Sequence, residues 1–213
     1  FDACLMAGLE VIYSLKDLAD YAVLSEETIG ALGYQYTYIL DAFTKSELTP
    51  DVMAKIMIDS YDRAYHDNSN DYTLSAIDLA ALNDVVRTFN DVAKFLYNVL
   101  DSSNSLYIYH TFEKILYGKA VIRFDERDYA DLASLYALVQ KKSSLLKLAS
   151  SENAQLHALL KAASYALRHA VIAHVNSPQF NGAGGISIYL PEQVIHSSYK
   201  KLHWTKEQPQ WYA

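Results

Sequence analysis

Phe1-Asp2-Ala3-Cys4-Leu5-Met6, then the apolar steps Leu9, Ile12, Tyr13 and Leu15, then Tyr21-Ala22-Val23-Leu24-Ser25-Glu26-Glu27-Thr28, is the stretch whose reading decides the fold. Phe1 to Met6 reads as the end of a buried strand, and Ala7 to Asp17 carries apolar residues at helical spacing. Tyr21 to Leu24 is a second short apolar run, closed by the polar Ser25-Glu26-Glu27-Thr28. Strand, helix, strand in so short a span predicts a βαβ unit of a parallel sheet, whose strands are buried on both faces and read as continuous apolar runs. Sites in such sheets gather at the carboxyl ends of strands. Cys4 and Ser25-Glu26-Glu27 both fall at such ends, so the pattern predicts that they share one site.

Cys4 is the only cysteine, which excludes an internal disulfide and a cysteine-based zinc site. A lone cysteine on a strand is commonly just a small buried apolar residue. At a strand's carboxyl end, however, the positive end of the following helix would favour a thiolate, the nucleophilic form. Asp2, two residues earlier, points to the same side of an extended strand. A charged residue in an otherwise apolar strand end needs a partner, and a substrate's Arg or Lys side chain would supply one. A cysteine hydrolase also needs a base, normally a histidine within hydrogen-bond reach of the sulfur. Of the seven histidines, His66, His110, His157, His169, His174, His196 and His203, none stands in a glycine-flanked loop at a strand end. The base, and most of the strand that carries Cys4, are therefore expected before Phe1.

Downstream, Ile29 to Gly33 reads as a loop and Tyr36 to Phe43 as a short helix. Thr49-Pro50 is a helix start, since Thr can cap free amides and Pro costs nothing at the first helical position. That helix should run to about His66, before the polar loop Asp67-Asn68-Ser69-Asn70-Asp71 and a strand over Tyr72 to Ile77. Asp78 can cap a long helix to about Leu100, with Leu82, Val86, Phe89, Ala93, Leu96 and Leu100 on one face. Further helices are predicted over Tyr129 to Leu148 and Glu152 to His169, and strands over Ala170 to Val175 and Gly185 to Leu190, the latter ended by Pro191. With no repeat or low-complexity segment, one domain over 1–213 is expected. The chain has 213 residues, is 51% hydrophobic and 20% charged, and carries a net charge of −7 with no basic cluster, which argues against nucleic-acid binding. Its longest uncharged apolar runs are too short to span a bilayer. Eighteen tyrosines against seven phenylalanines fit either many half-buried surface aromatics or an aromatic carbohydrate or peptide groove.

Asp2-Ala3-Cys4-Leu5-Met6 with Ser25-Glu26-Glu27-Thr28 about twenty residues on closely resembles the clostripain family of cysteine peptidases, relatives of gingipains, legumains, caspases and metacaspases. Tyr36-Thr37-Tyr38-Ile39-Leu40, Thr49-Pro50, Thr73 to Leu79 and Gly184 to Pro191 resemble further landmarks of that family in the right order. The resemblance implies a caspase-like three-layer αβα sandwich with a largely parallel central sheet, of which this chain is the carboxyl-terminal portion with helical insertions and without the amino-terminal strands. It implies a Cys and His dyad that cleaves after Arg or Lys, with Cys4 matching the nucleophile. Asp2 matches the acidic residue that pairs with the basic side chain before the cut bond, and Ser25, Glu26 and Thr28 match the strand end lining that pocket. The family's histidine stands in a His-Gly setting, a pair absent here, so a missing amino-terminal segment, or an associated chain of the same precursor separated by self-cleavage, is expected to supply it. Bacterial secretion, or a cell-surface or periplasmic location, follows from the same resemblance. Where relatives carry an acidic residue after Ser-Glu-Glu-Thr, this loop reads Ile29-Gly30-Ala31-Leu32-Gly33, which leaves Asp2 to select the basic residue. No cofactor is expected. Calcium is known for some members, and Asp67, Ser69 and Asp71 have alternating oxygen spacing, but Tyr72 stands where an EF-hand needs glycine and Asp78 replaces the distal glutamate. The competing reading is a noncatalytic binding module that keeps the fold and has lost the dyad.

Overall fold

The structure is a computed structural model that describes residues 1–45, 48–69, 71–100 and 105–208. In chain order it runs α1 (Leu9–Leu15), β1 (Tyr21–Leu24), α2 (Tyr36–Lys45), α3 (Pro50–Tyr65), β2 (Thr73–Asp78), α4 (Leu82–Leu100) and α5 (Ser105–Leu116). It continues through β3 (Tyr129–Asp131), α6 (Leu132–Lys142), α7 (Ser150–Ala170), β4 (Val171–Asn176), β5 (Ser187–Tyr189) and α8 (His203–Glu207). Helices α2 and α3 start where the sequence places them. Pro50 opens α3, although Thr49 turns its hydroxyl to Asp51 at 2.6 Å instead of capping the helix amides. Asp78 accepts the amide of Ala80 at 2.9 Å and so caps the single 3₁₀ turn that leads into α4.

A sheet of order β1-β2-β4 lies between two helical layers. Val23, Leu74 and Ala76 bury one face against Ile58, Tyr61 and Tyr65 of α3 and Ile39 of α2. Ala22, Leu24 and Ile77 bury the other in the larger core, with Val86 and Phe89 of α4, Leu135 of α6 and Leu160 and Leu167 of α7. Leu74 and Ala76 feed one core and Ile77 the other by the ordinary alternation of a strand, and the β2-β4 pairing shifts register between Ala76 and Ile77. A second, two-stranded sheet pairs β3 with β5.

The largely parallel sheet is corrected: β1 with β2, β2 with β4 and β3 with β5 all pair antiparallel. Phe1 to Met6 is also corrected, because these residues form a turn and not a strand. Leu5 adopts φ 59°, a left-handed conformation incompatible with extended pairing. The βαβ reading thus loses its first strand, and β1 takes its neighbour from β2, which returns in the opposite direction after α2 and α3. Among the described residues the one parallel pairing is an isolated bridge between Gly8 and Ser187. Tyr129 to Asp131, read as helix, is strand β3; Asp131 instead caps α6 by accepting the amide of Ser134 at 2.6 Å. Helix α5 has no counterpart in the sequence reading.

Candidate active site

Cys4 sits in the turn that links Phe1 to α1, held from below by the residues after β1. The amides of Leu5 and Ala7 donate to the carbonyls of Glu27 (3.1 Å) and Ser25 (2.9 Å), and the carbonyl of Ala7 accepts from Ser187 at 2.9 Å. These three bonds fix the backbone that follows the cysteine, whose side chain is exposed. The amide of Ile29 donates to Cys4 Sγ at 3.3 Å. That donor comes from the loop after β1, not from the helix that follows the cysteine.

Asp2 is exposed and lies beside the same loop. Its Oδ2 accepts the hydroxyl of Tyr36 at 2.6 Å, and a Cβ on Gly33 would stand 3.0 Å from that oxygen. The proton of Tyr36 is held more tightly than usual because of its bond to Asp2. Tyr34, whose hydroxyl donates to the carbonyl of Phe1 at 3.1 Å, has its ionisation pushed up, first by burial and then by the charge of Asp2. The rings of Tyr34, Tyr36, Tyr61, Tyr65 and Tyr72 form one connected series. Sequence reasoning missed these partners of Asp2; the signal that could have found them was the tyrosine excess immediately after Gly33. Among the described residues Asp2 forms no ion pair.

Ser25, Glu26 and Thr28 are placed differently from one another. Ser25 is fully buried and its hydroxyl bonds the carbonyl of Thr73 at 2.7 Å. Glu26, 1% exposed, points inward and accepts the amide of Gly185 at 3.1 Å. Glu27 is also buried and receives the amides of Thr28 (2.6 Å) and Asp125 (2.9 Å). Thr28 is half-buried. Thr28 is thus the one residue of the segment that is not buried, while the side chains of Ser25 and Glu26 hold the backbone from inside.

The histidines are engaged elsewhere. His66 faces Asp62, His110 faces Glu113 and His203 faces Glu207, while His157 bonds Ser143 and His196 bonds Ser198. His169 stacks on Tyr165, and His174 lies exposed on β4. No histidine bonds Cys4 among the described residues. In the loop with calcium-like spacing, Ser69 and Asp71 bond each other at 2.6 Å, and Asn70 lies outside the described residues. No group of three or more potential ligands gathers to hold a metal among the described residues, and none of their helices is long and apolar enough to cross a membrane.

Known proteins fit this arrangement. The model of the clostripain family matches residues 1–211. No curated protein matches the chain. Among solved structures, an inactive zymogen of a C11 protease from Parabacteroides distasonis superposes with a TM-score of 0.67 at 20% identity, covering 97% of this chain and 57% of that one. A cysteine protease from B. fragilis gives 0.67 at 18% identity, over 100% of this chain and 88% of that one. A clostripain from Bacteroides thetaiotaomicron, bound to the peptide inhibitor BTN-VLTK-AOMK, gives 0.57 at 17% identity over 98% and 85%. This chain thus spans little more than half the length of the first of these relatives. The fold is shared with all three, and with the family's model matched from Phe1 to Trp211, the chain belongs to the clostripain family of cysteine peptidases.

Proposed function

We propose that this chain carries the nucleophile and the specificity pocket of a cysteine endopeptidase that cuts after Arg or Lys. The observation that carries the reading is the turn itself: an exposed thiol and, two residues away, an exposed carboxylate without a cation partner among the described residues, both braced by the loop after β1. Asp2 pairs with the basic side chain before the scissile bond. The tyrosines beside it give that side chain's methylene stem an apolar wall. A related clostripain is bound by an inhibitor whose peptide ends in lysine, which agrees with an acidic pocket floor.

In the reaction, Cys4 Sγ attacks the scissile carbonyl carbon and the carbonyl π electrons move to oxygen, where backbone amides stabilise the charge. A histidine on a segment outside these residues takes the thiol proton and passes it to the leaving amine as the C–N bond breaks. Water then cleaves the thioester, releasing the new carboxylate and restoring the thiol. That segment, in a His-Gly setting, belongs to the same precursor and stays associated after processing; a zymogen among the related folds agrees with activation by cleavage. The precursor is bacterial and acts outside the cytoplasm, as does a related C11 protease from Bacteroides thetaiotaomicron described as secreted.

The test is hydrolysis of fluorogenic peptides ending in Arg or Lys by the complete protein. Cleavage that disappears in Cys4→Ala is expected; cleavage that persists would refute the assignment. If no peptide is cut although mass analysis finds an associated polypeptide with the His-Gly pair, the noncatalytic binding module is the correct reading.

A further inference from the structure

Beneath the loop that braces Cys4 lie two carboxyls that the peptidase reaction does not use. Glu26, just past β1, is 1% exposed, and Asp131, at the start of α6, is fully buried. Asp131 Oδ1 accepts the amide of Ser134 at 2.6 Å and Oδ2 that of Gly184 at 2.7 Å. Glu26 Oε2 accepts the amide of Gly185 at 3.1 Å, while its Oε1 is buried without a donor. The two carboxyls thus take consecutive amides of one turn and are close enough for the charge of Asp131 to act on Glu26. Two ionised carboxylates held this close with no cation repel each other, and a proton on one of them removes the repulsion. Neither group has a cation partner among the described residues.

We infer that Glu26 and Asp131 are a positioning pair for the nucleophile, sharing one proton that clamps the Gly184-Gly185 turn against the end of β1, on which the Cys4 turn rests. The turn is built for this close approach. Gly185 has φ +92°, and a Cβ there would stand 2.8 Å from that of Ser75; one on Gly184 would stand 2.4 Å from that of Ala133. Ser75 donates to the carbonyl of Gly185 at 2.6 Å and ties the turn to β2. From the clamp, Glu26 leads directly to the carbonyls of Ser25 and Glu27 that hold Ala7 and Leu5.

Glu26 holds the proton. Burial, the charge of Asp131 and the charge of Glu27 all push its carboxyl well above the usual range; burial raises Asp131 as well, but less far, because the amides of Gly184 and Ser134 favour its charged form. Glu27 flanks Glu26 on its own segment, and Tyr136 of α6 feels the charge of Asp131. Since the folded value of Glu26 lies above its unfolded one, the folded state keeps a proton that the unfolded chain gives up. Its contribution is present below the unfolded value and fades as pH rises through the folded one. Losing the proton leaves two buried anions side by side, and the clamp opens.

This inference rests on the peptidase reading only for its kinetic arm. Glu26→Gln copies the protonated acid: its amide oxygen can accept from Gly185 and its amide nitrogen can donate to Asp131, but it cannot titrate. Thermal midpoints of wild type and Glu26→Gln are measured from about pH 5 to pH 9, with kcat and KM of the complete protein on an Arg peptide over the same range. The wild-type midpoint should fall on the alkaline side while that of Glu26→Gln stays flat. The alkaline limb of kcat should move to higher pH in the variant, with KM unchanged. Midpoints that decline in parallel would overturn the shared proton. A flattened midpoint with superimposed kcat profiles would overturn the positioning role. A protein that folds but hydrolyses nothing at any pH would fail the peptidase reading alone, and the midpoints would still decide the pair.

Discussion

Replacing Asp2 by Asn isolates the charge that selects a basic residue. The side chain keeps its shape, and its amide oxygen can still accept the Tyr36 hydroxyl that Asp2 receives at 2.6 Å. Among the described residues Asp2 has no ion pair, so the substitution releases no cation to complicate the comparison. A hydrogen bond to a charged group contributes about 1.5–3 kcal/mol, and an exposed ion pair at most about 1 kcal/mol. Asp2 is exposed in the free protein but is covered by the substrate side chain when the pocket fills, so the lower part of the first range applies. At about 1.4 kcal/mol per factor of ten, kcat/KM on an Arg peptide should fall about 10- to 30-fold. The assay compares two fluorogenic peptides that differ only in Arg or citrulline before the scissile bond, since citrulline keeps the shape and removes the charge. The citrulline peptide should change less than about twofold. Equal losses on both peptides, or no loss on either, would refute the pocket.

Other substitutions test the frame around the site. Tyr36→Phe removes the hydroxyl that orients Asp2 and should lower kcat/KM on the Arg peptide about two- to fivefold while leaving the unfolding midpoint in place. Gly185→Ala forces a side chain onto φ +92° and against Ser75; a loss of about 1–3 kcal/mol is expected in denaturant unfolding. Trp204→Ala empties a fully buried site packed edge-on against Tyr13 at 5.3 Å and beside Phe89 at 6.0 Å. It should cost about 3–5 kcal/mol with an unchanged denaturant slope.

The elements legible in the sequence are those whose own periodicity or punctuation decides them. The heptad-like face from Leu82 to Leu100, the Pro50 start and the apolar runs of β1 and β4 all appear where the pattern puts them. Pairing direction was not legible, because a short apolar run reads the same whichever way its neighbour points. The turn at Cys4 was hidden for a related reason. Leu5 in the left-handed region is a tertiary outcome, set by the bonds of Leu5 and Ala7 to Glu27 and Ser25, and no local residue signals it. Tyr129 to Asp131 runs into α6 with uninterrupted apolar spacing, and only its partner β5 makes it a strand. At the site, Asp2 and Cys4 were readable from spacing and resemblance. The inward direction of Ser25 and Glu26 was not, since their partners Thr73, Asp131 and Gly185 lie far along the chain.

The central claim is that Cys4 is the nucleophile of a peptidase directed to basic residues, and covalent trapping tests it most directly. The complete protein is incubated with a chloromethyl ketone peptide ending in arginine, and the adduct is located by intact mass and peptide mapping. One adduct per molecule on Cys4 is predicted, absent in Cys4→Ala and slowed in Asp2→Asn. An adduct on another residue, or trapping that is indifferent to Asp2, would contradict the account.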